Sequence, residues 1–286
     1  MKPLTCDAHV DTLWILSGLA VQKDPTISPE RMQFGGLDKA VFALYLSDHW
    51  QDRLGEDKTW GLIEGQIAVA ASKFPGHFIA LEGGRCLGTA WAARLEHLSK
   101  FGLKYLTLTH NFHGPLAGSS TESGDPGLSK RGKDVLQFCE DEGILVDVSH
   151  ASDRTIDDVL AFSAKQPVLA SHSGCRILNQ HPRNLTNDHI IRISLTGGVV
   201  CVPFAKKFTG TMDGVADHID HICQITGSVR HVGIGSDMDG ARMVYGVRGA
   251  EDWSTVFIPP LHRMGYSDEQ ILAIAGGNVL RVLGEN

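Results

Sequence analysis

Histidine and carboxylate side chains follow six short apolar segments of this 286-residue sequence. Within residues 5–12, Asp7, His9 and Asp11 occupy alternate positions, so on a strand they point to one face. The same residue types recur after later apolar runs, as Glu82, His110, His150, His172 and Asp237. A single histidine or aspartate at a strand end more often serves a loop or a cap. Six such ends in one chain favour a common site.

This set of side chains predicts metal-assisted hydrolysis. Imidazole and carboxylate bind Zn²⁺ and similar divalent ions, and a catalytic ion keeps one position open for water. Three or more histidines with two or three carboxylates exceed the needs of one ion. The set therefore predicts two ions that share a carboxylate, roughly 3.5 Å apart. Such a pair lowers the pKa of water and polarises a carbonyl group.

A common site requires a scaffold that gathers many strand ends. Eight apolar segments have the character of strands, and most are followed by helical spacing of apolar residues. Strict alternation implies a parallel sheet with right-handed crossovers. The sequence therefore predicts an α/β fold, a (β/α)8 TIM-like barrel with its active site at the C-terminal strand ends. A doubly wound sheet is the alternative, but no G-x-G-x-x-G follows the first strand.

The predicted elements follow one another along the whole chain. After the first strand, the predicted strands comprise residues 40–46, 78–81, 105–109, 144–148, 167–170, 198–202 and 231–235. The predicted helices comprise residues 60–74, 89–101, 129–142, 152–163, 187–195, 213–226 and a tail from 267 to 283. Gly102 and Gly143 mark helix ends, and Ser267 with Gln270 forms a capping box. The polar, proline-containing residues 22–36 and the glycine-rich residues 114–127 predict loops.

Composition limits the classes of protein to consider. With 42% hydrophobic residues, residues 1–286 can form one large domain. The net charge of −7 and the lack of a basic run argue against nucleic acid as a partner. No apolar run has the length of a membrane span, and the amino terminus lacks the apolar core of a signal peptide. The six scattered cysteines predict buried thiols in a reducing compartment, so we expect a cytoplasmic protein.

Several motifs resemble the membrane (renal) dipeptidase family, peptidase family M19, in its soluble bacterial form. They cover nearly the whole chain in the right order: Asp7-Ala-His9-Val-Asp11, Glu82-Gly-Gly84, Leu106-Thr-Leu-Thr-His110-Asn111, Leu145-Val-Asp-Val-Ser-His150, Ser171-His172-Ser173, Arg183-Asn184, Gly233-Ile-Gly-Ser-Asp237-Met-Asp-Gly240 and Gly276-Gly-Asn-Val-Leu-Arg-Val282. The resemblance implies a zinc dipeptidase on a TIM-like barrel, acting on small peptides, and it points to a homodimer.

The resemblance also implies a role for each residue. His9 and Asp11 would hold one zinc ion, His150 and His172 the other, and Glu82 would bridge them. His110 would contact the scissile region and support the oxyanion. Arg183 would pair with the substrate's C-terminal carboxylate, for which a surface ion pair is the alternative. Asp237 would carry a proton from the attacking water to the leaving amine. Asp239 is expected to orient its neighbours, because the later ligands of an EF-hand loop are missing.

The sequence departs from the family pattern in three places. The loop after His110 reads Pro115-Leu-Ala-Gly-Ser119 where the family has a tryptophan and an aspartate, so side-chain preference is open. The segments between the first strands are short, which predicts a more open pocket. The signal peptide and the anchor-bearing tail of the animal enzymes are absent, so no membrane attachment is expected.

Other functions fit the same residues. A deacylase of N-acyl amino acids, or a dipeptidase tuned to D-configured C-terminal residues, would use an identical metal site. A metal-binding barrel without activity would show an altered ligand, and none is seen. A serine hydrolase is disfavoured because there is no G-x-S-x-G motif. Phosphotriesterase-like hydrolases resemble the chain less, because they commonly bridge with a lysine where Glu82 stands.

Overall fold

Eight parallel strands close into a barrel in the order in which they follow one another along the chain. The structure is a computed structural model that describes residues 4–22, 24–162 and 165–285. The strands are β1 (Cys6–Val10), β2 (Lys39–Tyr45), β3 (Phe78–Glu82), β4 (Leu103–Thr107), β5 (Leu145–Asp147), β6 (Val168–Ala170), β7 (Val199–Val202) and β8 (Val232–Ile234). The predicted (β/α)8 barrel is confirmed.

The α-helices of the described residues lie mostly between these strands. They are α1 (Thr12–Leu16), α2 (Pro29–Gly35), α3 (Asp48–Leu54), α4 (Glu56–Lys73), α5 (Trp91–Lys100), α6 (Lys130–Glu142), α7 (Asp153–Phe162), α8 (Asn187–Leu195), α9 (Lys206–Thr209), α10 (Met212–Thr226), α11 (Trp253–Arg263), α12 (Asp268–Leu272) and α13 (Asn278–Val282). Short 3₁₀ turns cover Gly84–Leu87, Val229–His231 and Ala250–Asp252, and a π-helical turn covers Ala273–Gly277. The helices predicted from apolar spacing are present. Position 163, the predicted end of one of them, lies outside the described residues.

The core has two layers. Inside the barrel, inward-pointing residues of the strands pack with α13: Cys6, Ala8, Val41, Ala80, Tyr105, Leu145, Leu169, Val199, Cys201, Val279, Leu280, Val282 and Leu283. A larger cluster includes the opposite faces of the strands and the helices, with Phe42, Phe204, Trp253 and Phe257 among its fully buried members. Each such side chain contributes roughly 1.5–3 kcal/mol through burial. The strand ends are thereby held on a rigid frame.

The prediction of a loop over residues 22–36 is wrong at its second half, where α2 forms. Ser28 caps this helix by accepting a hydrogen bond from the backbone N–H of Arg31, and Pro29 occupies its first turn. Gly36 ends it in the left-handed conformation, with a φ of 72°. The capping residues were visible in the sequence, but seven residues are too few to show a helical period.

Helix α11 shows how a tertiary contact overrides local propensity. It contains Pro259 and Pro260, and proline disfavours a helix interior. Its first residue, Trp253, is fully buried, and the indole N–H donates to Asp7 Oδ2 at 2.8 Å. The helix therefore depends on a contact with a residue far away in the sequence, which the local sequence pattern does not show. The short helices α1 and α3, near the ends of β1 and β2, were missed because of their length.

All six cysteines are buried and unpaired. Burial raises the pKa of the Cys139 thiol to about 12, so it stays protonated and packs as a small apolar group. Across the described ranges, the structure contains no helix whose length and apolar character would suit a membrane crossing.

Candidate metal centre

The predicted site residues lie together at the end of the barrel where the C-terminal ends of the strands meet. Two of them belong to strands, His9 in β1 and Glu82 at the end of β3. The others follow strands by one to three residues: Asp11 after β1, His110 after β4, His150 after β5, His172 after β6 and Asp237 after β8. Parallel strands bring these ends to one rim.

Two buried aspartates hold the strand ends in register. Asp7 Oδ1 accepts hydrogen bonds from the backbone N–H groups of His9 at 3.0 Å and Ser236 at 2.9 Å. Asp147 does the same for the backbone of Ser149 and Ser171. Asp7 thus turns its carboxylate to the backbone, and it belongs to none of the candidate metal groups in the described residues, although it alternates with His9.

The first group of metal-capable atoms comprises His9, Asp11 and Glu82. His9 Nε2 lies 3.5 Å from Asp11 Oδ2 and 3.5 Å from Glu82 Oε1. Two donors bound to one tetrahedral zinc ion, each at about 2.0–2.2 Å, lie roughly 3.3–3.6 Å apart. All three residues are at most 4% exposed. The spacing therefore fits a divalent ion.

Glu82 also belongs to a second group, with His110 and His150, while a third group joins His9 with His172 and Asp237. Glu82 Oε1 lies 3.1 Å from His150 Nε2 and 3.5 Å from His172 Nε2, and the two imidazole nitrogens are 2.9 Å apart. One carboxylate thus faces histidines from all three groups. This is the arrangement that a bridging carboxylate requires.

The hydrogen bonds of His9 leave its inner nitrogen free to bind a cation. The Tyr105 hydroxyl donates to the Ala8 carbonyl at 2.7 Å and lies 2.8 Å from His9 Nδ1. Because the hydroxyl hydrogen is used, Nδ1–H is the donor, and in the neutral imidazole that binds a metal ion Nε2 carries the lone pair. His9 Nε2 and Asp11 Oδ1 are buried and have no hydrogen-bond partner among the described residues. Such groups are costly unless a ligand satisfies them.

His172 is oriented by a second relay. Ser171 Oγ donates to Asp147 Oδ2 at 2.6 Å and lies 2.8 Å from His172 Nδ1, which therefore donates to it. The Nε2 lone pair of His172 points into the site as a result. His150 lacks this support, because its buried Nδ1 has no partner within the described residues. Outer hydrogen bonds of this kind are typical of metal-binding histidines.

The electrostatics of these groups suit cations. Burial lowers the pKa of His150 and His172 well below the usual value, so both imidazoles are neutral, as a metal ligand must be. Burial opposes the ionisation of Glu82, yet His9 and the hydrogen bond with His150 hold its pKa well below the usual range. Burial also disfavours a charged His9, but Tyr105, Glu82 and Asp11 raise its pKa well above normal, so without a metal ion a proton occupies Nε2, the position that a bound cation would take. The centre of the site therefore attracts positive charge.

Arg183, in the segment between β6 and α8, lines the same site. It is only 4% exposed, so the alternative of a surface ion pair is wrong. Its Nη2 donates to the His172 carbonyl at 3.4 Å, and the guanidinium carbon lies 5.3 Å from the Phe208 ring centroid. Burial lowers its pKa to about 10, which leaves the group charged at neutral pH.

Backbone strain is concentrated at the rim. Within the described residues, the non-glycine positions with positive φ are His150 at 68°, Asp237 at 62° and Asp239 at 69°. This conformation is uncommon for such residues and clusters at functional sites. Asp237 is held there by its backbone N–H, which donates to the His9 carbonyl at 3.0 Å. Burial, followed by the charge of Asp11, raises the pKa of Asp237 well above its usual value.

His110 also lines the cavity. Its Nδ1 lies 3.5 Å from Asp48 Oδ2, and its ring centroid lies 4.3 Å from that of His150. Donor atoms of Glu82, His110 and His150 come within 4.8 Å of one another. His110 thus reaches both the second metal group and the open part of the cavity.

Asp239 supports the site through its neighbours. Its Oδ1 accepts hydrogen bonds from the backbone and hydroxyl of Thr26, and its Oδ2 accepts one from the Thr12 hydroxyl at 2.7 Å. The next residue, Gly240, lies so close to the site that a Cβ there would come within 2.0 Å of Asp11 Oδ2. A side chain at this position would displace the Asp11 carboxylate, so glycine leaves that group in place.

The site opens into a cavity of about 380 Å³. Sequence reasoning missed several of its lining residues: Trp14, Tyr45, Asn111, Lys207 and Phe208. It also missed the supporting residues Tyr105, Asp147 and Ser171. Tyr45 ends β2, and Tyr105 and Asp147 are polar residues in buried strands, so strand position was an available signal. Lys207 and Phe208 lie on α9, and the sequence offered no signal for this short helix.

The closed barrel and the grouped histidines and carboxylates on its rim define a TIM-like barrel of the metal-dependent hydrolase type. The sequence profile of the membrane dipeptidases (peptidase family M19) matches residues 64–286. The chain therefore belongs to the membrane dipeptidase family, and the resemblance seen in the motifs is confirmed.

Similar proteins agree with this assignment. Dipeptidase verJ of Clonostachys rogersoniana is 35% identical over 251 residues, which are 83% of this chain and 61% of that protein. The chain spans about half to three fifths of the length of the curated relatives it matches.

Two solved structures share the fold. The probable dipeptidase PvdM from Pseudomonas aeruginosa superposes with a TM-score of 0.86 at 21% identity, over 99% of this chain and 95% of that chain. A metallopeptidase from Rhodobacter sphaeroides, liganded with a phosphinate mimic of the dipeptide L-Ala-D-Ala, gives a TM-score of 0.83 at 20% identity, over 99% of both chains.

Proposed function

We propose that this chain is a dipeptidase that hydrolyses the peptide bond of short substrates with two divalent metal ions. The observation that carries the proposal is the position of Glu82, whose Oε1 lies within 3.5 Å of the Nε2 atoms of His9, His150 and His172. Membership of the membrane dipeptidase family supports it. Relatives such as verJ are named dipeptidases, and the Rhodobacter structure holds a mimic of a dipeptide with a D-configured C-terminal residue.

The residues divide into two ligand sets. His9 and Asp11 would hold one ion, His150 and His172 the other, and Glu82 would bridge them. We propose Zn²⁺ for both, although imidazole and carboxylate donors also suit other divalent ions. When bound, the ions supply a lowered pKa of water and polarisation of the scissile carbonyl.

Arg183 would fix the substrate by its C-terminal carboxylate. Its guanidinium is buried on the cavity wall and keeps its Nε without a protein partner in the described part of the chain. A forked guanidinium matches a carboxylate with two parallel hydrogen bonds. The cavity of about 380 Å³ favours short substrates over longer peptides.

Asp237 and His110 would act on the reacting bond. The raised pKa of Asp237 allows its carboxyl group to accept a proton from water and to donate it to the leaving amine near neutral pH. His110, which reaches the open part of the cavity, would donate a hydrogen bond to the oxyanion of the tetrahedral intermediate. Both groups lie on the rim beside the proposed ligands.

A substrate screen tests the proposal. Zinc-loaded protein is incubated with dipeptides that have L or D C-terminal residues and with N-acyl amino acids, and products are followed by mass spectrometry with a chelator control. Chelator-sensitive cleavage of dipeptides is the expected result. Cleavage of N-acyl amino acids alone would instead select the deacylase alternative. No cleavage by protein that holds about two metal ions per chain would refute the enzymatic function.

A pair of variants tests the metal site itself. The Glu82→Gln variant should lose both its bound metal and its activity. The metal content is measured by inductively coupled plasma mass spectrometry. The matched control is Glu269→Gln, which makes the same change on the exposed surface of α12. Equal metal content in both variants would contradict the bridging role of Glu82. The single domain over residues 1–286, the homodimer, the cytoplasmic location and the lack of a nucleic-acid partner stay predictions.

A further inference from the structure

Two positively charged side chains line the cavity, and only one of them has a role so far. Arg183 and Lys207 both line the cavity. Arg183 is assigned to the C-terminal carboxylate of the substrate. Lys207, on α9, has an exposed side chain, and within the described residues its ammonium group forms no hydrogen bond or ion pair, as is also true of Lys206. Lys207 is therefore available to a ligand.

The backbone around Lys207 is tied to the segment that carries Arg183. Asn179 Nδ2 donates to the carbonyls of Lys207 and Phe208, each at 3.0 Å. Asn184, next to Arg183, also donates to the Phe208 carbonyl at 3.0 Å. The Phe208 ring lies against the Arg183 guanidinium. The two cations thus belong to one hydrogen-bonded frame, and their separation is set by the fold.

The charges of the cavity also leave room for a second anion. Four carboxylates line it: Asp11, Glu82, Asp237 and Asp239. Arg183 and Lys207 also line it, and each can pair with an anionic group of a substrate. A substrate whose only anionic group is its C-terminal carboxylate can pair with just one of these two cations. Electrostatic complementarity of this kind determines selectivity more than overall affinity.

We propose that Lys207 is a specificity-determining residue that selects substrates whose C-terminal residue bears a second acidic group, an aspartate-like or glutamate-like side chain. The proposal rests on the proposed function, because it places the C-terminal carboxylate on Arg183. The ammonium group of Lys207 would pair with the side-chain carboxylate beside it. Lysine suits this task because its charge sits on a flexible stem that adapts to side chains of different length.

Matched dipeptides and matched variants test the proposal. The specificity ratio is kcat/KM for Ala-Glu divided by that for the isosteric Ala-Gln, and likewise for Ala-Asp over Ala-Asn, with L and D C-terminal residues. A hydrogen bond to a charged group predicts a ratio of roughly ten in the unaltered protein. Lys207→Gln should bring the ratio to about one, and Lys207→Arg should retain most of it. The preference should weaken as salt is added.

The control is the adjacent lysine. Lys206→Gln removes the same charge one position away; both side chains are exposed, but Lys206 does not line the cavity. It should keep the ratio of the unaltered protein. A ratio near one before any substitution, or an equal loss in the Lys206 and Lys207 variants, would overturn the proposal.

A binding measurement separates this inference from the proposed function. Phosphinate dipeptide mimics that end in glutamate or glutamine are titrated calorimetrically into the metal-loaded protein and its two variants. Roughly tenfold tighter binding of the glutamate mimic, lost only in Lys207→Gln, supports the role of Lys207 even if no dipeptide is cleaved. Equal binding of both mimics refutes it, even if dipeptides are cleaved.

Discussion

The hydroxyl of Tyr105 offers the sharpest test of how the barrel prepares its metal site. The residue is fully buried in β4, and its single hydroxyl serves both the Ala8 carbonyl and His9 Nδ1. Tyr105→Phe removes this hydroxyl and leaves the ring in place. The variant therefore asks whether the hydrogen bond selects the form of His9 that binds a metal ion.

The expected magnitude follows from the two lost contacts, at 2.7 and 2.8 Å. Each leaves a buried polar group unpaired at a cost of about 1–3 kcal/mol, so the free energy of unfolding should fall by about 2–6 kcal/mol. Without its partner, the proton of His9 is no longer directed to Nδ1 and can occupy Nε2. Loss of such an outer contact weakens metal affinity about tenfold to hundredfold, or roughly 1.4–2.7 kcal/mol.

Two measurements separate the effects. Urea denaturation of the metal-free protein gives the stability, and competition with a chelator of known affinity gives the metal dissociation constants. The matched control is Tyr266→Phe, which removes a hydroxyl that donates to Asp220 at 2.7 Å, away from the site. It should leave metal affinity unchanged. If Tyr105→Phe lowers stability but changes metal affinity by no more than about twofold, well below the tenfold to hundredfold loss expected, the hydroxyl does not select the tautomer.

Three further substitutions examine other parts of the structure. Gly240→Ala should lose metal content while the far-ultraviolet circular dichroism stays native, because its Cβ would come within 2.0 Å of Asp11 Oδ2; full metal content would contradict this contact. His218 has its pKa lowered to about 4 by burial and by His221, against about 6.5 in an unfolded chain. The unfolded chain binds more protons between these values, so the free energy of unfolding should fall by up to about 3 kcal/mol as the pH drops from about 6.5 to 4. Denaturation curves of His218→Asn should show a smaller fall, and an equal fall would argue against this residue. Arg183→Lys should raise KM for dipeptides about tenfold or more with a smaller effect on kcat, because a point charge replaces a forked donor; an unchanged KM would remove Arg183 from carboxylate binding.

The strands and most of the longer helices were predictable because their patterns are local. A continuous apolar run such as β2 is typical of a parallel strand buried on both faces, and helices such as α8 show their period over nine residues. The elements that escaped were short, like α1, or contradicted local propensity, like α11 with its two prolines. In α11, the buried contact of Trp253 with Asp7 replaces the missing local preference.

The proposed ligands were predictable for a related reason. In a parallel barrel all strands end on one rim, so a histidine or carboxylate just after a strand is placed by topology alone. The residues that orient them were not predictable. Whether Tyr105 meets His9, 96 positions away in the sequence, depends on how β4 faces β1 across the barrel interior.

By itself, the sequence determined the alternation of strand and helix, and hence a parallel barrel whose rim carries His9, Glu82, His150 and His172. The tertiary structure alone decided which of their atoms meet. Closure of β8 onto β1 brings Asp237 beside His9, and hydrogen bonds from Asn179 and Asn184 to the backbone of α9 tie Lys207 to the segment that carries Arg183. The physical reason is that the face to which a side chain at a strand end points follows from the alternation of side chains along that strand. The conformation of a long loop follows instead from contacts with residues far away in the sequence.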